Sequence, residues 1–179
     1  MGSEMCIRDR NIIVVETVKE YVKKVIELDK RTVERGNGLK IIAVESEFQN
    51  KIRESGVEYK IKGKVDRIDE LNGEVRVIDY KSGKKLRQRN ITIKDSEELT
   101  KEKGIYNLQL LVYMLGIKEG FDEKTIKSGI INLKNISEGV LEGVFNGKTV
   151  LNNNEMENYK NKIIKIIANI LDKGKMFKN

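Results

Sequence analysis

At 179 residues the chain is long enough to bury the core of one domain, and its 39% hydrophobic and 35% charged residues fit a globular protein with a heavily solvated surface. A net charge of +7 favours a polyanionic partner without requiring one. A single cysteine, Cys6, and no histidine exclude an intrachain disulfide, a cysteine-cluster metal site and histidine acid–base catalysis, and no apolar run or signal peptide argues against a cytoplasmic protein.

Met1 to Arg10 shows no periodicity and reads as a non-native leader. Residues 11–179 are then expected to form a single domain, truncated at its N-terminus. From Glu16 to Arg35, Val18, Tyr21, Val22, Val25, Ile26, Leu28 and Val33 recur mostly at helical spacing, and Gly36 and Gly38 end the helix. Ile41 to Asn50 reads as a first strand. In the next, Val57, Tyr59, Ile61 and Val65 alternate with Glu58, Lys60, Lys62 and Lys64, and Asp66 continues the polar face. Leu71-Asn72-Gly73 supplies a hairpin turn, so Glu74 to Lys81 returns beside it.

Lys84 to Lys103 is polar and aperiodic, and is expected to be a loop or mobile flap. Gly104 to Gly116 reads as an apolar helix, Ser128 to Lys134 and Gly139 to Phe145 as strands. Asn152 to Asn154 offers a cap for a last amphipathic helix ending near Lys173. The order αβββαββα predicts an α/β domain, a mixed central sheet flanked by helices. Gly143 to Thr149 is not a P-loop, because three residues separate Gly143 and Gly147 where four are required.

Few positions offer chemistry. Asp79 and Lys81 are two apart on a predicted strand, so both side chains leave one face. The hairpin brings Asp66 beside Asp79. Two carboxylates and a lysine at a sheet edge fit a Mg²⁺ site for phosphodiester hydrolysis, and Asp79/Lys81 alone fits a surface ion pair. Lys84, Lys85, Arg87 and Arg89 follow directly, placed either to contact a nucleic-acid backbone or to form a solvated charge run. Gln109 and Tyr113 are four apart and share one helical face.

Gly63-Lys-Val-Asp-Arg-Ile-Asp69, then Val77-Ile-Asp-Tyr-Lys-Ser-Gly83, then Gln109-Leu-Leu-Val-Tyr113 resemble, in this order, three sequence blocks of the PD-(D/E)XK nucleases in their RecB/AddB-like branch. The resemblance covers residues 40 to 135 well. It implies a restriction-endonuclease-like core and a DNA exonuclease using Mg²⁺ or Mn²⁺, in a recombination or repair complex with a helicase subunit or domain. Asp66, Asp79 and the main-chain carbonyl of Tyr80 are the implied metal ligands, and Lys81 orients the attacking water. Gln109 and Tyr113 lie against the site in that family. Of Glu45 and Glu47, the resemblance favours Glu47 as a further ligand, while either also fits an outward ion pair. A non-catalytic nucleic-acid scaffold and a CRISPR-associated exonuclease are the alternatives. Members of the branch carry an upstream helical motif whose His or Glu completes the metal site; this chain has no His, and its native part is expected to start after that helix. Lys175-Met176-Phe177 resembles the segment before the iron–sulfur cysteines of some relatives.

Overall fold

Alternation and turn chemistry build the sheet. The computed structural model describes residues 3–54, 56–121 and 124–171. β1 (Leu39–Glu54) and β2 (Val57–Leu71) form a long antiparallel hairpin. Asn72 at φ 52° and Gly73 at φ 90° make the next turn, whose two left-handed residues match the twist of the strands they join. That turn returns the chain as β3 (Glu74–Lys81), with the bounds expected from sequence. β5 (Ile126–Asn132) then pairs with β3 in parallel and β6 (Val140–Glu142) adds an antiparallel edge, giving the order β1-β2-β3-β5-β6. The predicted α/β class, a mixed sheet flanked by helices, is the observed architecture.

Two cores sandwich this sheet. On one face Ile68, Val75 and Val77 pack with Leu110, Leu111 and Met114 of α2 (Ile105–Ile117), and with Met156, Tyr159 and Ile163 of α3 (Asn153–Leu171). On the other, Ile78, Ile131 and Ile136 pack with Val25 and Leu28 of α1 (Ser3–Glu34). Burial on both sides explains why β3 and β5 are nearly continuous in apolar residues. Among the described residues, no helix is long and apolar enough to cross a membrane.

α1 begins at Ser3, within the stretch read as a non-native leader. The structure differs from the sequence reading in two places. Residues 84–103 are no flap. Leu86, Ile91, Ile93 and Leu99 are all buried in the α2 core, through short 3₁₀ turns and β4 (Thr92–Ile93). Their apolar residues follow neither a helical nor a strand period, so periodicity misses them. The last predicted strand is divided by Gly143 into β6 and β7 (Val144–Phe145), and β7 pairs with β4 in a separate two-stranded sheet. The predicted end of α3 at Lys173 falls outside the described residues, as does Lys175-Met176-Phe177. At its start, Asn152 Oδ1 accepts from Glu155 N–H at 2.9 Å and Glu155 Oε2 from Asn152 N–H at 3.0 Å, a reciprocal cap.

One packing detail fixes the height of α2 above the sheet. A Cβ on Gly63 of β2 would lie 2.7 Å from the Phe48 ring, and one on Gly116 of α2 would lie 2.4 Å from it. The ring therefore fills the gap between strand and helix backbone. Phe48 also meets Tyr113 edge to face, with centroids 6.2 Å apart. Because Gly63 blocks retreat on the far side, Gly116→Ala is expected to destabilise the protein by about 1–3 kcal/mol, read as a lower urea midpoint.

Candidate active site

The β2–β3 ladder is regular from the turn up to the pair Arg67–Ile78. One step further the strands part. Asp66 turns its carboxylate across the gap, and Oδ2 accepts from the Tyr80 N–H at 2.8 Å. Opposite Asp66 on β1, Glu45 sits at φ 55°, a left-handed conformation uncommon for a residue with a side chain. The regular alternation breaks here too. Val65 and Ile68 enter the same core although an odd spacing separates them. In an extended strand the N–H and C=O of one residue leave the same edge, so the Tyr80 carbonyl is directed to the side that holds Asp66.

Asp79 lies on the α2 face of β3 and is 2% exposed. Gln109 Nε2 donates to its Oδ1 at 2.9 Å, and Lys81 Nζ lies 2.9 Å from its Oδ2. Lys81 Nζ also donates to Gln109 Oε1 at 2.9 Å, and Gln109 Nε2 contacts the Tyr113 hydroxyl at 2.7 Å. One amide thus bridges the carboxylate and the ammonium. Its orientation follows from charge, since the carbonyl end must face Lys81 and the NH₂ end Asp79.

Burial raises the pKa of Asp79 above the ordinary carboxylate value, Lys81 and Tyr113 oppose that shift, and the Asp66 charge adds to it. Burial likewise raises Tyr113, with Asp79 and Asp66 reinforcing, so the phenol keeps its proton. Asp79 Oδ2 is buried and has no well-formed hydrogen bond, since the Lys81 ammonium beside it is poorly aligned. A buried anionic oxygen met only by an ion pair, a second carboxylate and a carbonyl turned to the same gap are hard oxygen donors of the kind Mg²⁺ or Mn²⁺ takes.

The structure thus brings together Asp66, Asp79, Lys81, Gln109, Tyr113 and the main chain of Tyr80. It does not bring Glu47 to them. Glu47 is exposed on the face of β1 opposite Phe48, paired with Lys64, and lines an open hollow with Lys62 and Gly63. Among the described residues, no group of three or more His, Cys, Asp or Glu side chains is placed to share a cation. Glu45 pairs with Lys64 instead. Lys84, Lys85, Arg87 and Arg89 are all exposed just past Lys81, anchored between them by buried Leu86, and the Lys84 carbonyl accepts from Asn132 Nδ2 at 2.9 Å.

Sequence reasoning missed a buried ionic network behind the site. Asp69 is fully buried and accepts from Arg67 Nε at 2.7 Å and from Arg76 Nε at 2.7 Å. Arg67 continues to Asp29 of α1 through a two-pronged bridge of 2.8 and 3.0 Å. The Asn72-Gly73 turn contains the signal for half of it, because that turn sets Asp69 opposite Arg76. Nothing in the sequence points from Arg67 to Asp29.

The model of the PD-(D/E)XK nuclease superfamily matches residues 10–178. No curated protein matches the chain. Among solved structures, the crystal structure of SSO0001 is similar at 19% identity over 81% of this chain, with a TM-score of 0.36. The chain spans 59% of that protein's length.

The electrostatics yield a test. A carboxylate with a raised pKa in the folded state disfavours folding once it ionises. That penalty is absent where both states are protonated and is fully present above the folded pKa. Metal-free Asp79→Asn is therefore expected to melt higher than the wild type at pH 7. The difference should close as pH falls below about 4, where Asp79 is protonated in both states. Thermal melts across that range check it.

Proposed function

The chain belongs to the PD-(D/E)XK nuclease superfamily, and on that premise we propose that it is a metal-dependent DNA nuclease with its active site at the parting of β2 and β3. The observation that carries this reading is Asp79, buried with one oxygen that no hydrogen bond satisfies, paired with Lys81 directly and through Gln109, and close enough to Asp66 to feel its charge. A structural ion pair gains nothing from a second carboxylate nearby, which only adds repulsion. A cation site needs it.

Asp66, Asp79 and the Tyr80 carbonyl would hold Mg²⁺ or Mn²⁺, which polarises a phosphate and lowers the pKa of a bound water. Lys81 contributes a fixed positive charge beside the carboxylates, where it orients the attacking water and offsets charge developing on the phosphate. Gln109 shares that ammonium with Asp79 and so fixes its position, and Tyr113 holds Gln109. The arrangement is built before substrate arrives, so little reorganisation is needed at the reacting centre. Lys84, Lys85, Arg87 and Arg89 form a track along which a DNA backbone enters.

At the finer level we assign the chain to the RecB/AddB-like branch, as the exonuclease domain of a helicase–nuclease complex. Support comes from the Gln109-Leu-Leu-Val-Tyr113 block, whose first and last side chains touch each other and whose Gln109 donates to Asp79. A non-catalytic DNA-binding scaffold of the same fold is the competing outcome.

End-labelled DNA incubated with Mg²⁺ or Mn²⁺ separates these. Asp79→Ala and Lys81→Ala are each expected to lower cleavage by at least about 10²-fold, and Lys81→Ala to leave DNA affinity nearly intact. Arg87→Ala and Arg89→Ala should weaken binding and flatten its salt dependence while saturated turnover persists. Cleavage by Lys81→Ala at the wild-type rate would overturn the assignment.

A further inference from the structure

The back of the sheet holds charges where hydrophobic residues would pack more cheaply. Arg67 is 3% exposed and Asp69 fully buried, yet the surrounding core of Ile78, Ile131, Val25 and Leu28 is apolar. Burial works against the Arg67 charge, and Asp29, Tyr80 and Asp69 together still hold its pKa above the ordinary guanidinium value. Buried ion pairs of this kind contribute little net stability compared with apolar residues of the same shape. Their placement is more informative than their energy.

Arg67 adjoins Asp66 in sequence and points to the opposite side. There it takes Asp29 of α1 in a two-pronged bridge, and its Nη1 reaches the Tyr80 hydroxyl at 3.4 Å. Tyr80 lies between Asp79 and Lys81, with its ring in the α1 core and its N–H held by Asp66. One guanidinium therefore touches Tyr80 from behind, while the backbone of the same arginine adjoins Asp66 across the gap in the β2–β3 ladder. Past the Arg67–Ile78 pair no ladder bonds define the width of that gap.

Resting on the active-site reading above, we propose that Asp29 and Arg67 are positioning residues for the cation. Through Tyr80 and the Asp66 backbone they set the distance between the Asp66 carboxylate and the Tyr80 main chain, and so tune metal affinity from the far face of the sheet. α1 then acts as a brace for the site and not only as a cover for apolar strands. Asp29 is the better probe, because it is partly exposed on a helix and its loss spares the fold more than loss of Arg67.

The test measures backbone amide exchange in metal-free protein and Mn²⁺ binding by calorimetry, both independent of cleavage. In Asp29→Ala the Tyr80 amide should exchange about tenfold faster while those of Val77 and Ile78 are unchanged, the mark of local opening. Mn²⁺ affinity should fall about tenfold, as when outer supports of a metal ligand are removed. Asp29→Asn should fall between, and Asp29→Glu should restore most of both. Ile163→Val, in the opposite core, provides a destabilised control that should move neither reading. Unchanged Tyr80 exchange and Mn²⁺ affinity in Asp29→Ala would overturn the proposal alone. A wild-type protein that binds no Mn²⁺ would remove the active-site reading and this proposal with it.

Discussion

A carboxylate as buried as Asp79 can remain in a sheet only if its charge is met by partners that do not move. Water cannot do this, because the side chain is 2% exposed. Lys81 meets part of it from the same strand. The rest depends on a neutral amide arriving from another element at hydrogen-bonding distance, and Gln109 arrives only if α2 lies at one height and one rotation. Every other feature of the site face serves that placement, from the Phe48 spacer to the buried Asn107, whose Nδ2 ties α2 to the carbonyls of Ile91 and Val144 at 3.0 and 3.1 Å. Nonpolar packing positions the helix, and the helix makes the buried charge tolerable.

β3 serves both layers at once. Its odd-numbered residues from Val75 to Asp79 face α2, and Arg76, Ile78 and Tyr80 face the α1 side. The strand thus carries chemistry on one face and its support on the other, with no intervening residue. The segment from Leu86 to Leu99 closes the α2 layer from above, so the exposed basic residues after Lys81 project from a packed base. That matters for a phosphate track, because charges on a fixed base lose less freedom when a ligand orders them.

Much of the architecture was legible because period and turn chemistry agreed. The Asn72-Gly73 dipeptide fixed the register of β2 on β3, and register places Asp66 beside Asp79 without further information. The two-residue period of β3 set Asp79 and Lys81 on a common face, and the four-residue spacing of Gln109 and Tyr113 did the same on α2. What resisted reading was long-range or aperiodic. The packed segment 84–103 buries isolated apolar residues between charges, and no window average detects that. Glu47 rests on a resemblance in the first strand, which does not say which of two faces meets α2, and Phe48 takes that face. The role of Arg67 left no local signal, because its partner Asp29 lies 38 positions away on α1.

The aromatic ring between Gly63 and Gly116 behaves as a shim of fixed thickness. Positions 48, 63 and 116 share one dimension, so a change of size at one bears on the other two. A bulkier residue at either glycine needs a thinner one at position 48, and a thinner residue there leaves a void unless a glycine gains a methyl group. Substitutions at the three sites are therefore expected to be non-additive when combined, each being harmful singly and milder in compensated pairs. The gap that the shim sets is also the gap Gln109 must span, which makes the tolerance for such changes as narrow as a hydrogen bond.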